Sequence, residues 1–180
     1  MSTSIRRFVA NGSLGIILLV APAITAGAQS GAKLDDPTIV AIFDAANTYD
    51  IEAGALAERK AKNHDVHEFA EMMQRDHRAV RQQGRDLATS LKVTPTPPSN
   101  FALANAHVAA MQKLRGLSGA AFDRAYMQNE VDFHNAVIDA VTNTLLPATQ
   151  NAQLKDLETK VAPAFVAHRD RAQNLLNNLK

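Results

Sequence analysis

The chain has 180 residues, with 19 Lys and Arg against 18 Asp and Glu, and the resulting formal charge of +1 excludes a basic nucleic-acid-binding surface as its main theme. It has no cysteine, which excludes disulfides, thiolate metal sites, iron–sulfur clusters, a cysteine nucleophile and a lipidated N-terminal cysteine. Aromatics at 5% and only 8 glycines argue against a β-sandwich or barrel, and the Ala-, Leu- and Val-rich remainder reads as helix.

The chain opens with Arg6 and Arg7, then an apolar run from Leu14 to Val20, then Ala26-Gly27-Ala28. A positive start, a short apolar stretch and a small-x-small site describe a secretory signal peptide over residues 1–28. The apolar run is short of the ~20 residues a membrane span needs. The paired arginines raise the twin-arginine route beside the general one, although Phe8 departs from that pattern. Cleavage near Ala28 would leave 152 residues, remove both arginines and change the formal charge to −1, placing the mature protein in the periplasm or cell envelope. Residues 29–36 form a short tail and 37–180 the folded domain; no later segment is apolar enough to span a membrane.

The first helix starts at Asp35-Asp36-Pro37, where Asp36 can cap and Pro37 suits the first turn, and ends near Ala61-Lys62. The second starts at Asn63 or Asp65 and carries Val66, Phe69, Met73, His77, Val80 and Leu87 at helical spacing. Thr94-Pro95-Thr96-Pro97-Pro98 forces a loop. Residues 101–116 read as a short helix lying across the bundle. The third long helix runs from about Gly119 to Leu146, closed by Pro147, and the fourth from about Asn151 to Asn178 with Pro163 inside it. The outer links are tight, so each pair is antiparallel, whereas the middle link at 92–118 can run the whole length of a bundle helix. The expected fold is all-α: a ferritin-like four-helix bundle with a long crossover between the second and third long helices, plus a short crossover helix.

Four ionisable residues fall where the core pattern wants apolar ones. His77 lies between Met73 and Val80, His134 between Met127 and Ile138, His168 between Phe165 and Ala172, and Glu52 between Tyr49 and Leu56. Counted from the turns, all four come near one level of the bundle. One Glu and three His suit a divalent ion such as zinc, iron, copper or manganese. Glu-x-x-His, which a di-metal carboxylate site requires, is absent; Gln74, Val131 and Phe165 stand three residues before the histidines. Asp76, Asp123, Tyr126, Glu130 and Asp132 are candidates for the shell around the ligands. The rival reading is a metal-free buried polar network that only fixes helix register, in a non-catalytic envelope or stress-related module. A ferritin-like redox enzyme is the third. No phosphate loop, nucleophile elbow, zinc-protease or dinucleotide motif is present, so no catalytic residue is named. An envelope protein or a second copy of the chain are the open partners.

Asp50-Ile51-Glu52-Ala53-Gly54, Phe69-Ala70-x-Met72-Met73-x-x-Asp76-His77, Leu117-Ser118-Gly119-x-x-Phe122-Asp123-x-x-Tyr126, Val131-Asp132-x-His134 and Pro163-x-x-x-x-His168 together resemble the successive blocks of an exported bacterial family, the domain of unknown function 4142. The resemblance covers about residues 37–179. It implies a ferritin-like four-helix domain in the cell envelope, with Glu52, His77, Asp123, Tyr126, His134 and His168 as its marked positions and no assigned activity.

Overall fold

The computed structural model describes residues 34–179. The expected signal peptide lies outside them. Five helices follow in order: α1 (Asp36–Lys60), α2 (His64–Ser90), α3 (Ala102–Arg115), α4 (Gly119–Ala140) and α5 (Ala152–Asn178). Helix α4 does not stop at Ala140 but passes through a π-helical turn, Val141–Leu145, into a last turn, Leu146–Ala148. No strand occurs among the described residues, and no helix is long and apolar enough to cross a membrane.

Local chemistry sets the helix ends. Asp35, not Asp36, caps α1 by accepting from Thr38 N at 3.0 Å. Asn63 caps α2 through Asp65 N and Val66 N, and Asn151 caps α5 through Gln153 N and Leu154 N. Two other aspartates bind turns far away in sequence. Asp123 accepts from Lys62 N at 3.0 Å and Asn63 N at 2.9 Å. Asp36 accepts from Gln150 N at 2.8 Å and Asn151 N at 3.0 Å.

These bonds fix the topology. The start of α4 sits at the α1–α2 turn, and the start of α1 sits at the α4–α5 turn. Hence α2 and α4 run parallel, as do α1 and α5. Helix α1 packs on α2 and α4, and α5 packs on α4 and α2, so every neighbouring pair is antiparallel. Helix α3 returns along the outside of α1 and α4, where Lys60 Nζ meets its last carbonyls, those of Leu114 and Arg115.

Two apolar clusters fill the bundle. One gathers Leu56, Phe69, Met73, Leu114, Phe122, Tyr126 and Met127 toward the α1–α2 turn. The other gathers Ile39, Phe43, Val141, Leu145, Leu154 and Phe165 toward the α4–α5 turn. Between them lies a layer of buried polar side chains: Asn47, Asp50, His77, Glu130, His134 and His168. Helices α1 and α2 approach closely at two glycines. A Cβ on Gly54 would lie 2.9 Å from Gln74 Cγ, and one on Gly84 2.9 Å from the Phe43 ring.

Candidate metal centre

Each histidine of the layer comes from a different helix: His77 from α2, His134 from α4, His168 from α5. All three are buried, with 2%, 1% and 7% of their surface exposed. Their ring centroids lie 5.1–5.6 Å apart, and Phe165 stacks on His77 at 5.9 Å. One ring nitrogen from each lies within 4.8 Å of the corresponding nitrogens of the other two.

The outer ring nitrogens are held. His77 Nδ1 is 2.9 Å from Asn47 Oδ1, and Asn47 uses its amide to donate to Phe43 O, so its oxygen is the acceptor and His77 donates. His134 Nδ1 donates to the Glu130 carbonyl at 2.9 Å. His168 Nε2 donates to Asp76 Oδ2 at 3.2 Å. Each acceptor selects a tautomer, and each tautomer leaves a lone pair on the other nitrogen. Those nitrogens, His77 Nε2, His134 Nε2 and His168 Nδ1, have no hydrogen-bond partner among the described residues. Second nitrogens tied to a carboxylate, a carbonyl or an amide oxygen are the usual support of metal-ligating histidine.

The electrostatics agree. Burial, with His134 and His168 alongside, pushes His77 well below its ordinary value. Burial pushes His134 down to about 4 against the pull of the Glu130 carbonyl, and lowers His168 against the pull of Asp76. All three rings are therefore neutral at neutral pH, the form that donates a lone pair. Behind His134 lie two buried carboxyls. Asp50, Glu130 and His134 each place one ligand atom within 4.8 Å of the others, and Asp50 Oδ2 is 3.4 Å from His77 Nδ1. Burial raises Glu130 to about 8; burial and the neighbouring Glu130 raise Asp50 well above the usual carboxylate range. A cavity of about 10 Å³, the size of one water or one ion, lies between α1 and the rings of His77, His134 and Phe165.

The family described as a domain of unknown function, DUF4142, matches residues 21–175 of the chain. The chain belongs to this family. No curated protein and no solved structure matches it.

Set beside the residues expected in this DUF4142 chain, the three histidines meet and Glu52 does not join them. Glu52 is corrected to a surface position: it is 53% exposed and binds His107 Nε2 at 2.8 Å. Asp50 is the inward carboxyl of α1, and Glu52, two residues on, is turned about 200° around the helix. Asp76 supports His168. Asp132 is exposed and accepts from Gln128. Asp123 serves the α1–α2 turn, away from the histidines. Tyr126 is buried between Phe69 and Phe122, and burial raises its hydroxyl well above the ordinary value. Asn47, Asp50 and Glu158 are buried polar residues that the sequence pattern passed over. Asn47 and Asp50 continue the Ile39–Phe43 stripe at four and three residues, a signal that Ala46 and Tyr49 masked. Glu158 follows Leu154 by four, accepts from Thr149 Oγ1 at 2.8 Å, and sits in the α4–α5 turn region, apart from the layer.

Proposed function

We propose that the domain is an exported metal-binding bundle that holds a borderline divalent ion, of the zinc, copper, iron or manganese type, on His77, His134 and His168. The observation that carries this reading is three buried imidazoles that each bring one ring nitrogen within 4.8 Å of the other two, each with one nitrogen tied down and the other unpartnered. A polar layer that served only to set helix register would close its own hydrogen bonds. Leaving a buried acceptor unmade costs about 1–3 kcal/mol, so three of them form an expensive way to set register. Nitrogen ligands favour these ions over calcium or magnesium, which take oxygen. Tetrahedral binding at about 2.0–2.1 Å brings such nitrogens to roughly 3.4 Å apart, so binding draws the three rings inward. Asp50 and Glu130, which would lose their protons near a cation, stand next to the site. Export rests on the N-terminal pattern of Arg6-Arg7, apolar run and Ala26-Gly27-Ala28.

The test is elemental analysis of untagged protein purified without chelator, with thermal melts in added Zn²⁺, Cu²⁺, Fe²⁺ and Mn²⁺. The expected result is one ion per chain and a raised melting temperature with at least one of the four. Substoichiometric metal together with unchanged melts sinks the reading.

A further inference from the structure

The apolar cluster toward the α4–α5 turn is not filled. A chamber of about 140 Å³ lies within it, between α1 and α4, walled by Ile42, Phe43, Val137, Val141, Leu145 and Phe165. None of the three histidines lines it. Its one polar side chain is Asn47, whose amide is engaged at both ends. The nitrogen donates to Phe43 O at 2.8 Å, and the oxygen accepts from His77 at 2.9 Å. An ordered water needs two to four polar partners, and this wall presents no free polar side chain. Left empty, the chamber deprives its lining of contact atoms. Two other hollows differ. The groove of about 220 Å³ under α3 has His107, Asn129 and Asp132 in its wall, and the hollow of about 450 Å³ on the α4–α5 face has Thr142 and Thr159. Such groups suit water.

We propose that this chamber is a binding site for a small, uncharged, apolar molecule of about the size of benzene. The volume sets the size: an apolar cavity of about 150 Å³ lined by Leu, Ile and Phe stays dry and takes benzene or xenon. Phe43 and Phe165 give the guest aromatic walls to lie against. A hydroxyl or a charge on the guest would give up its hydration and find no free partner. Leu103 and Ala136 line both the chamber and the groove under α3, so the guest enters from that groove. Helix α3 is loosely held there: it starts without a side-chain cap, and its buried residues, Met111 and Leu114, lie near its other end. The site is separate from the metal-binding reading and stands whether or not the histidines hold an ion.

The test is ¹⁹F NMR of fluorobenzene titrated with the protein in EDTA, so that the outcome does not depend on a bound ion. The expected result is a saturable change of the fluorine line, reversed by benzene, with phenol at least ten-fold weaker as a competitor. Ala140 lines this chamber and neither of the other two hollows. Ala140→Phe fills the chamber and should weaken fluorobenzene binding at least ten-fold; Ala140→Leu is the milder filling if the ring prevents folding, which circular dichroism reads. Ala106→Trp in the groove and Val166→Trp in the α4–α5 hollow should leave Kd within three-fold of wild type. No saturable change overturns the proposal. So does phenol competing as well as benzene. Unchanged binding in a folded Ala140 variant, or binding lost in Ala106→Trp or Val166→Trp instead, places the guest elsewhere and overturns it too.

Discussion

His134 and Glu130 sit one helical turn apart, both about 1% exposed, and burial moves their proton affinities in opposite senses. His134 falls from 6.5 to about 4, so the unfolded chain binds its proton first and this residue's share of stability is lost as pH falls below 6.5. Glu130 rises from 4.5 to about 8, so the folded chain keeps a proton that the unfolded chain releases, and its share is lost as pH rises toward 8. Above about pH 7.5 the histidines have lost their protons in both states, and the buried carboxyls Glu130 and Asp50 are what still changes in this layer. In EDTA, the urea midpoint should therefore drop from about pH 7.5 to about pH 9, and the drop should shrink in Glu130→Gln. A wild-type midpoint that is flat over this range contradicts the assignment. His168→Leu isolates the metal contribution, because Asp76 is partly exposed and water can replace its lost partner. The variant should stay within about 1.5 kcal/mol of wild type in EDTA, having shed one unsatisfied nitrogen, yet gain no melting temperature from added metal. Wild-type metal response in this variant would falsify its ligand role. The histidines were legible in the sequence because α2 has one clear apolar stripe with His77 inside it. Glu52 was misplaced because α1 is lined with small residues on every side, Ala45, Ala46, Ala53, Ala55 and Ala57 among them, so its phase is weakly marked.

At the level of elements, turns and crossings carry more than propensity does. Asp123 is 2% exposed and accepts two backbone N–H groups of the α1–α2 turn. Bonds to a charged acceptor are worth about 1.5–3 kcal/mol, so Asp123→Ala should cost roughly 3 kcal/mol in chemical denaturation, and Asp123→Asn less. A loss under 1 kcal/mol would mean that water takes over the turn. Gly84→Ala reverses the usual rule. In an ordinary helix the change gains up to about 1 kcal/mol, but here the new methyl meets the Phe43 ring at 2.9 Å. A cost of about 1–3 kcal/mol is expected from overpacking, and a stabilised variant would show that the ring gives way. Caps, prolines and stripes put the helix ends within a residue or two of their true places. The π turn at Val141–Leu145 left no comparable mark: its five residues, Val-Thr-Asn-Thr-Leu, fit an α-helix locally, and Val141 and Leu145 pack into the cluster toward the α4–α5 turn. The backbone bonds of the Asp123 and Asp36 carboxylates were equally hidden, since they join residues 60 or more apart.

For the whole molecule, an ion on the three histidines adds stability by mass action, about 2.7 kcal/mol at a hundred-fold excess over Kd. For a chain of this size that is worth roughly 5–10 °C in melting temperature. The gain should register in hydrogen exchange as added protection of amides around His77, His134 and His168. The outer end of α1, which supplies none of the three ligands, should change least. Uniform protection along all helices would point to global stabilisation without a local site. The overall layout carries one more consequence. The chain joins the α1–α2 hairpin to the α4–α5 hairpin through the proline-rich loop and α3, and one aspartate of each hairpin, Asp36 and Asp123, binds the other's turn. His77 belongs to the first hairpin, His134 and His168 to the second. Cut between Thr94 and Asn100, the protein becomes two peptides with reciprocal clasps and a divided ligand set. If the proposed site holds an ion, their reassembly should answer to metal concentration, and the divided bundle would serve as a split reporter for that ion.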